Sequence, residues 1–160
     1  ARQAAARALE ISPEHGVARL NPGAAWLLEG DAKAALAEFQ KSSGARRETG
    51  VALAEHDLGR PGESQKALDE LIRGYALTNA YQVAEVHAWR QEPDAAFDWL
   101  ERAYTQHDGT LVQIKFDPLL ARIRDDARYA AMLTKIGLPG MPSASESRMK
   151  MPAKKRTSCQ

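Results

Sequence analysis

A similar local phrase occurs three times in this chain, and this repetition restricts the folds that the sequence can adopt. Each copy reads as an apolar helical segment, a tight turn and a second helical segment that contains alanine. The turns fall at Gly30, Gly59 and Gln91, so that the copies are spaced 29 and 32 residues apart. Repetition at such a period predicts stacked helical hairpins, because one hairpin cannot bury its apolar face without a neighbour.

Glycine and proline mark where the helices end and begin again. Gly30 and Gly59 are typical helix-ending residues, and Pro61 and Pro93 suit the first turn of the helix that follows. Asp117 is a plausible N-cap before Pro118. These signals predict helices over residues 2–10, 14–29, 32–42, 45–58, 62–75, 78–90, 93–106, 118–123 and 126–136.

The composition favours an all-α fold. Alanine, leucine, glutamate and arginine are abundant, whereas β-branched residues are sparse. Small residues recur where two helices of a hairpin would meet, which allows their backbones to approach closely. We therefore predict an α-solenoid of about three hairpins in one domain, residues 1–140, followed by a disordered tail. The predicted hairpins span residues 16–44, 45–76 and 77–108, the helical cap spans 109–139 and the tail spans 141–160.

The three phrases resemble tetratricopeptide repeats (TPR). They match the small, aromatic, glycine, acidic, alanine, aromatic order of that family over residues 16–106, although Gln91 stands where the third turn would have glycine. A more specific series follows in the C-terminal half: AYQVAEVHAWR from Ala80, AFDWLERAY from Ala96, FDPLL from Phe116 and IGLP from Ile136. This series resembles the C-terminal TPR region of bacterial multidomain regulators that carry a nucleotide cyclase, a Ser/Thr kinase or a winged-helix domain upstream.

The resemblance implies a protein-interaction scaffold that holds a peptide, a helix or its own upstream domain in a concave face. In this family the first helix of each hairpin lines that face. The residues that we predict to contact the partner are Leu53, His56, Asp57, Tyr81, Glu85 and Trp89. Several of them are also suited to the core, a reading that stays open at this point. A second hypothesis is a regulatory or sensor segment that acts in cis on a cyclase or kinase.

The sequence offers little support for catalysis or for a cofactor. The four histidines are widely spread, and Cys159 lies near the C-terminus without a positioned base. We expect neither an enzyme within these residues nor a bound metal or cofactor. No apolar run approaches the roughly 18 residues that a membrane span requires, so we expect a cytoplasmic protein without membrane contact.

The charge distribution argues against a nucleic-acid partner. The last twenty residues contain five basic residues against Glu146, a balance of +4, which leaves the rest of the chain at −3. A nucleic-acid-binding helical repeat would need a basic face, and we rank it as the less favoured alternative. The basic tail itself is expected to be a solvated end.

Overall fold

The computed structural model describes residues 22–138, and all secondary structure in that range is helical. It contains seven α-helices and two short 3-10 helices, without a strand among the described residues. The elements are α1 Pro22–Leu28, α2 Ala32–Phe39, α3 Gly44–Asp57, α4 Pro61–Tyr75, α5 Ala80–Trp89, α6 Pro93–Thr105, η1 Gly109–Gln113, η2 Pro118–Ile123 and α7 Ala127–Lys135. The predicted all-α class is confirmed. The predicted helix over 2–10, the first part of 14–29 and the tail lie outside the described residues.

The three predicted turns share one backbone geometry. Gly30, Gly59 and Gln91 all have positive φ, at 81°, 72° and 62°. In each turn this residue donates its N–H to the carbonyl three positions earlier, and the next residue donates to the carbonyl five positions earlier. This is the Schellman arrangement, which satisfies carbonyl groups that a helix end leaves without a partner. The same pair of bonds recurs after α6, where His107 has a φ of 57°.

Local caps then start the following helices. The side chain of Asp31 accepts a hydrogen bond from the N–H of Ala34 at 2.9 Å at the start of α2. Pro61 and Pro93 occupy the first turns of α4 and α6. The predicted cap at Asp117 is also found, with its carboxylate accepting from the N–H of Leu119 at 2.9 Å. It opens the 3-10 helix η2, whose six residues are within the short range that is usual for this geometry.

The helices pack as consecutive antiparallel pairs. The extensive contacts within pairs join α1 to α2, α3 to α4 and α5 to α6, while α2 and α4 each contact the first helix of the next pair. The first helices also contact one another, α1 with α3 and α3 with α5. The segment after α6 packs against these first helices, since η2 contacts α5. Two buried clusters fill the interior, one centred on α1–α4 and one on α5–α7, and Trp99 packs against both.

Small residues let the backbones approach closely where the sequence analysis expected it. The residues placed at helix crossings are all buried: Gly23, Ala35, Ala52, Ser64, Ala84, Ala96 and Ala103. Among the described glycines, Gly50 has the tightest surroundings, because the ring of Phe39 lies against its backbone. A Cβ atom at Gly50 would overlap that ring, and one at Gly23 would come within 2.7 Å of it. Phe39 therefore fixes the spacing between α2 and both of its neighbours.

Candidate functional site

Three of the six predicted contact residues belong to the core. Leu53 is 1% exposed, Tyr81 is 0% exposed and Trp89 is 6% exposed. Their side chains face between helices, where burying apolar area stabilises the fold. Side chains so buried offer a partner little surface, so their burial favours the core alternative that the sequence left open for these three residues. Glu85 and His56 are half-buried, and Asp57 is exposed.

Asp57 and Trp89 form a structural link between α3 and α5. The indole Nε1–H of Trp89 donates to Oδ1 of Asp57 at 2.9 Å. The guanidinium of Arg122, in η2, stacks 4.5 Å above the same indole ring and also donates a hydrogen bond to the carbonyl of Trp89. Cation–π stacking of this kind stabilises the contact of η2 with α5. We therefore assign this cluster to the packing of the fold.

A groove lies where α3 and α5 face the η1–η2 segment, and we call it the α5–η2 groove. Its volume is about 310 Å³. It is lined by both apolar and hydrogen-bonding side chains: Ala24, Phe39, Ala45, Arg46, Thr49, Leu53, Asn79, Gln82, Glu85, Thr110, Gln113, Asp117, Pro118 and Leu119. Of the predicted contact residues, only Leu53 and Glu85 line it. A mixed lining of this kind suits a binding surface.

A buried hydrogen-bond network lies behind the wall of the groove that Asp117 lines. The Tyr81 hydroxyl donates to Oδ2 of Asp117 at 2.8 Å, and both residues are almost wholly buried. Asp108 joins from the other side, where Oδ2 accepts from the N–H of Tyr81 at 3.3 Å and Oδ1 from the N–H of Thr110 at 2.9 Å. Two carboxyl groups from the segment after α6 thus hold the first turn of α5.

Glu85 lies one turn of α5 beyond Tyr81 and meets the same carboxyl group. Burial, the charge of Asp117 and a hydrogen bond with Asp117 raise the pKa of Glu85 well above its usual value, and Asp108 adds to the effect. Burial, followed by the charges of Asp117 and Glu85, also raises the pKa of Tyr81. The physical cause is common to both, since a buried negative charge beside another negative charge is costly. Glu85 therefore keeps its proton to a higher pH than an exposed glutamate.

Two arginines lie near this wall. Arg124 donates to the backbone carbonyl of Asp117 at 2.8 Å rather than to its carboxylate. Arg46 lines the groove from α3 and is exposed. Among the groups that raise or lower the pKa of Glu85, none is a lysine or arginine. The amide oxygen of Gln82, also in the lining, is buried and has no hydrogen-bond partner.

Sequence reasoning missed Asp117 and Asp108 as members of the site. Asp117 was identified only as a helix cap, a role that it does fill through Oδ1. Asp117 follows Tyr81 by 36 residues in the chain and Asp108 follows it by 27, yet both contact Tyr81 in the fold. No local pattern encodes such proximity. The combination of a tyrosine and a glutamate at i and i+4 on an otherwise apolar helix was the only available signal.

No three histidine, cysteine, aspartate or glutamate side chains within residues 22–138 are arranged to hold a metal ion. In the same range no helix is long and apolar enough to cross a bilayer. Comparisons with protein-family models, with curated proteins and with solved structures found no match.

Proposed function

We propose that this chain is a protein-interaction module that holds a segment of a partner protein in the α5–η2 groove. The carrying observation is the groove itself, about 310 Å³ in volume and lined from α1, α2, α3, α5 and the η1–η2 segment. Thr49, Asn79, Gln82, Thr110 and Gln113 provide polar groups beside apolar floor residues. This pairing is what a peptide requires, because its backbone needs hydrogen-bond partners and its side chains need apolar contact.

The proposal includes a tetratricopeptide-type solenoid with its first helices on the inner side. Two observations support it. The three hairpin turns repeat the same pair of backbone hydrogen bonds, and the first helices α1, α3 and α5 contact one another in order. A groove that borders α3 and α5 then lies on the inner side of the stack. We assign the partner-binding role to the groove lining, which includes Leu53 and Glu85, rather than to the buried Tyr81 and Trp89 side chains.

Selection of peptides from a random phage-display library tests the proposal. The full chain is the bait, and the enriched peptides are compared on two variants, Arg46→Trp and Arg73→Trp. Both replace an exposed arginine on a helix, but only Arg46 lines the groove. We expect enriched peptides to bind Arg73→Trp like the unchanged chain and to lose about tenfold or more in affinity for Arg46→Trp. Peptides that bind both variants equally, or a selection without enrichment, would contradict the proposed function.

A further inference from the structure

We propose that the partner segment held in the α5–η2 groove places an aromatic or large aliphatic side chain on the ring of Phe116, at the edge of the groove. This inference rests on the proposed function and specifies the chemistry of its ligand. Phe116 is 70% exposed. Along the chain it lies between residues that line the groove, with Gln113 before it and Asp117 and Pro118 after it.

The hydrogen bonds of this segment determine which residues share a side. The N–H groups of Leu111, Ile114 and Phe116 each donate to the carbonyl three positions earlier, at 3.1, 3.1 and 2.8 Å. In such 3-10 geometry the side chains at i and i+3 eclipse one another, so the segment has three rows of side chains. The first row is the buried one: Leu111, Ile114 and Asp117 are 6%, 0% and 3% exposed. Their burial agrees with the three-residue period.

The second row contains Thr110, Gln113 and Phe116. Thr110 and Gln113 line the groove, so Phe116 continues the same side at the edge of the groove. The third row contains Val112, which is 67% exposed, and no residue of that row lines the groove. Phe116 and Val112 are thus similarly exposed apolar residues of one segment, but only Phe116 is in register with the groove lining.

The backbone on both sides of Phe116 is held in place by buried and charged groups. The Tyr129 hydroxyl donates to the carbonyl of Ile114 at 2.6 Å, and Arg124 donates to the carbonyl of Asp117 at 2.8 Å. A partner that packs on the ring therefore does not have to order this segment first, which reduces the entropic cost of binding. Aromatic side chains are enriched in protein interfaces.

The size and charge of the groove indicate what lies on the ring. A volume of about 310 Å³ accommodates only a few residues of a peptide, so a longer segment continues past the edge of the groove. Where it passes Phe116, its next side chain meets an apolar ring. A cation could also stack on such a ring, but Arg46 lines the same groove and would repel it. We therefore assign an aromatic or large aliphatic side chain to this position.

The test uses the peptides from the phage-display selection that depend on the groove, meaning those that lose affinity for Arg46→Trp. We expect them to share an aromatic or large aliphatic residue. Replacing that residue with serine should weaken binding about tenfold in isothermal titration calorimetry. Phe116→Ser should cause a similar loss, and in that variant the original and the serine peptide should bind equally, because both changes remove the same contact. Val112→Ser is the matched control and should bind both peptides like the unchanged chain.

The outcomes separate this inference from the proposed function. Groove-dependent peptides that bind Phe116→Ser and the unchanged chain equally would overturn the inference and leave the proposed function standing. Absence of groove-dependent peptides would overturn both. Analytical ultracentrifugation tests a second copy as the occupant: a dimer that is lost in Phe116→Ser, but kept in Val112→Ser, would assign the ring to self-association. A marked gain in peptide affinity when Met141, Met149 and Met151 are changed to serine would assign it to the chain's own tail. Either result would overturn the inference.

Discussion

The hydroxyl of Tyr81 donates a hydrogen bond to Oδ2 of Asp117 at 2.8 Å, and this bond joins α5 to a segment 36 residues further along the chain. Neither side chain has significant access to solvent. The bond therefore contributes in two ways: it stabilises the packing of η2 on α5, and it orients the carboxyl group that Glu85 meets. One wall of the α5–η2 groove and the packing of η2 on α5 therefore depend on the same contact.

Tyr81→Phe should lower the free energy of unfolding by about 1–3 kcal/mol, because the buried carboxyl group of Asp117 would lose the hydrogen bond that the Tyr81 hydroxyl donates. Urea denaturation followed by circular dichroism measures the change. Tyr104→Phe is the matched control, since Tyr104 is 38% exposed and its hydroxyl has no such buried partner. The control should change stability by less than about 0.5 kcal/mol. Equal stability of Tyr81→Phe and the unchanged chain would show that the buried bond contributes nothing.

Stability should fall as the pH rises above the ordinary range of glutamate, about 4.3. The folded chain holds the proton of Glu85 more tightly than the unfolded chain, because burial and Asp117 raise the pKa of that carboxyl group. Its contribution is thus fully present below the unfolded pKa and is lost as the pH rises through the folded pKa. Urea unfolding at a series of pH values measures this slope.

Glu85→Gln should flatten the slope, since the amide does not titrate and can still donate a hydrogen bond to Asp117. Asp126 does not interfere in this window, because hydrogen bonds from Arg128 lower the pKa of Asp126 to about 2 and its effect lies at more acidic pH. An unaltered slope in Glu85→Gln would show that another group is responsible.

Gln91→Gly should raise the free energy of unfolding by about 0.5–1 kcal/mol. Gln91 has a φ of 62°, a region that costs a residue with a Cβ about 1–2 kcal/mol, and the greater freedom of glycine in the unfolded chain offsets part of the gain. The reverse change at the equivalent turn, Gly59→Ala, should destabilise, since its φ is 72° and no neighbour lies within 4 Å of the added methyl group. Thermal unfolding of both variants checks the pair, and shifts of the same sign would contradict the explanation.

Gly50→Ala should destabilise by about 1–3 kcal/mol or more, because the added methyl group would overlap the ring of Phe39. Gly74→Ala is the control: Gly74 lies in α4, is exposed and has nothing within 4 Å, so alanine there should stabilise by about 0.5–1 kcal/mol. A double-mutant cycle with Phe39→Leu should show coupling between positions 39 and 50. Additive effects would mean that the ring and the glycine do not constrain each other.

The helices and their ends followed from the sequence to a large extent. Gly30 and Gly59, Pro61 and Pro93, and the cap at Asp117 act on backbone groups only a few residues away, so their effects can be read locally. The predicted helices at 62–75 and 93–106 match α4 and α6 to within a residue at each end. The 3-10 helix η1 was not predicted, because five residues give too little periodicity to detect.

The site was less predictable. Their positions in the repeats predicted that Leu53, Tyr81 and Trp89 lie on a face open to a partner. How deeply these side chains are buried depends on what packs over that face. The segment from Asp108 to Ile123 packs there: Asp117 and Asp108 bind Tyr81, and Arg122 covers Trp89. Glu85, one of the predicted contact residues, lines the groove, although its carboxyl neighbours were not foreseen.

The sequence by itself determined the all-α class, the hairpin turns and the small residues at the crossings, because each is set by short-range backbone geometry and side-chain size. Only the tertiary structure decided which helix faces are closed and where the carboxyl groups meet. Burial and charge interaction depend on distance in space, and for Tyr81, Glu85 and Asp117 that distance is set by packing between segments about thirty residues apart.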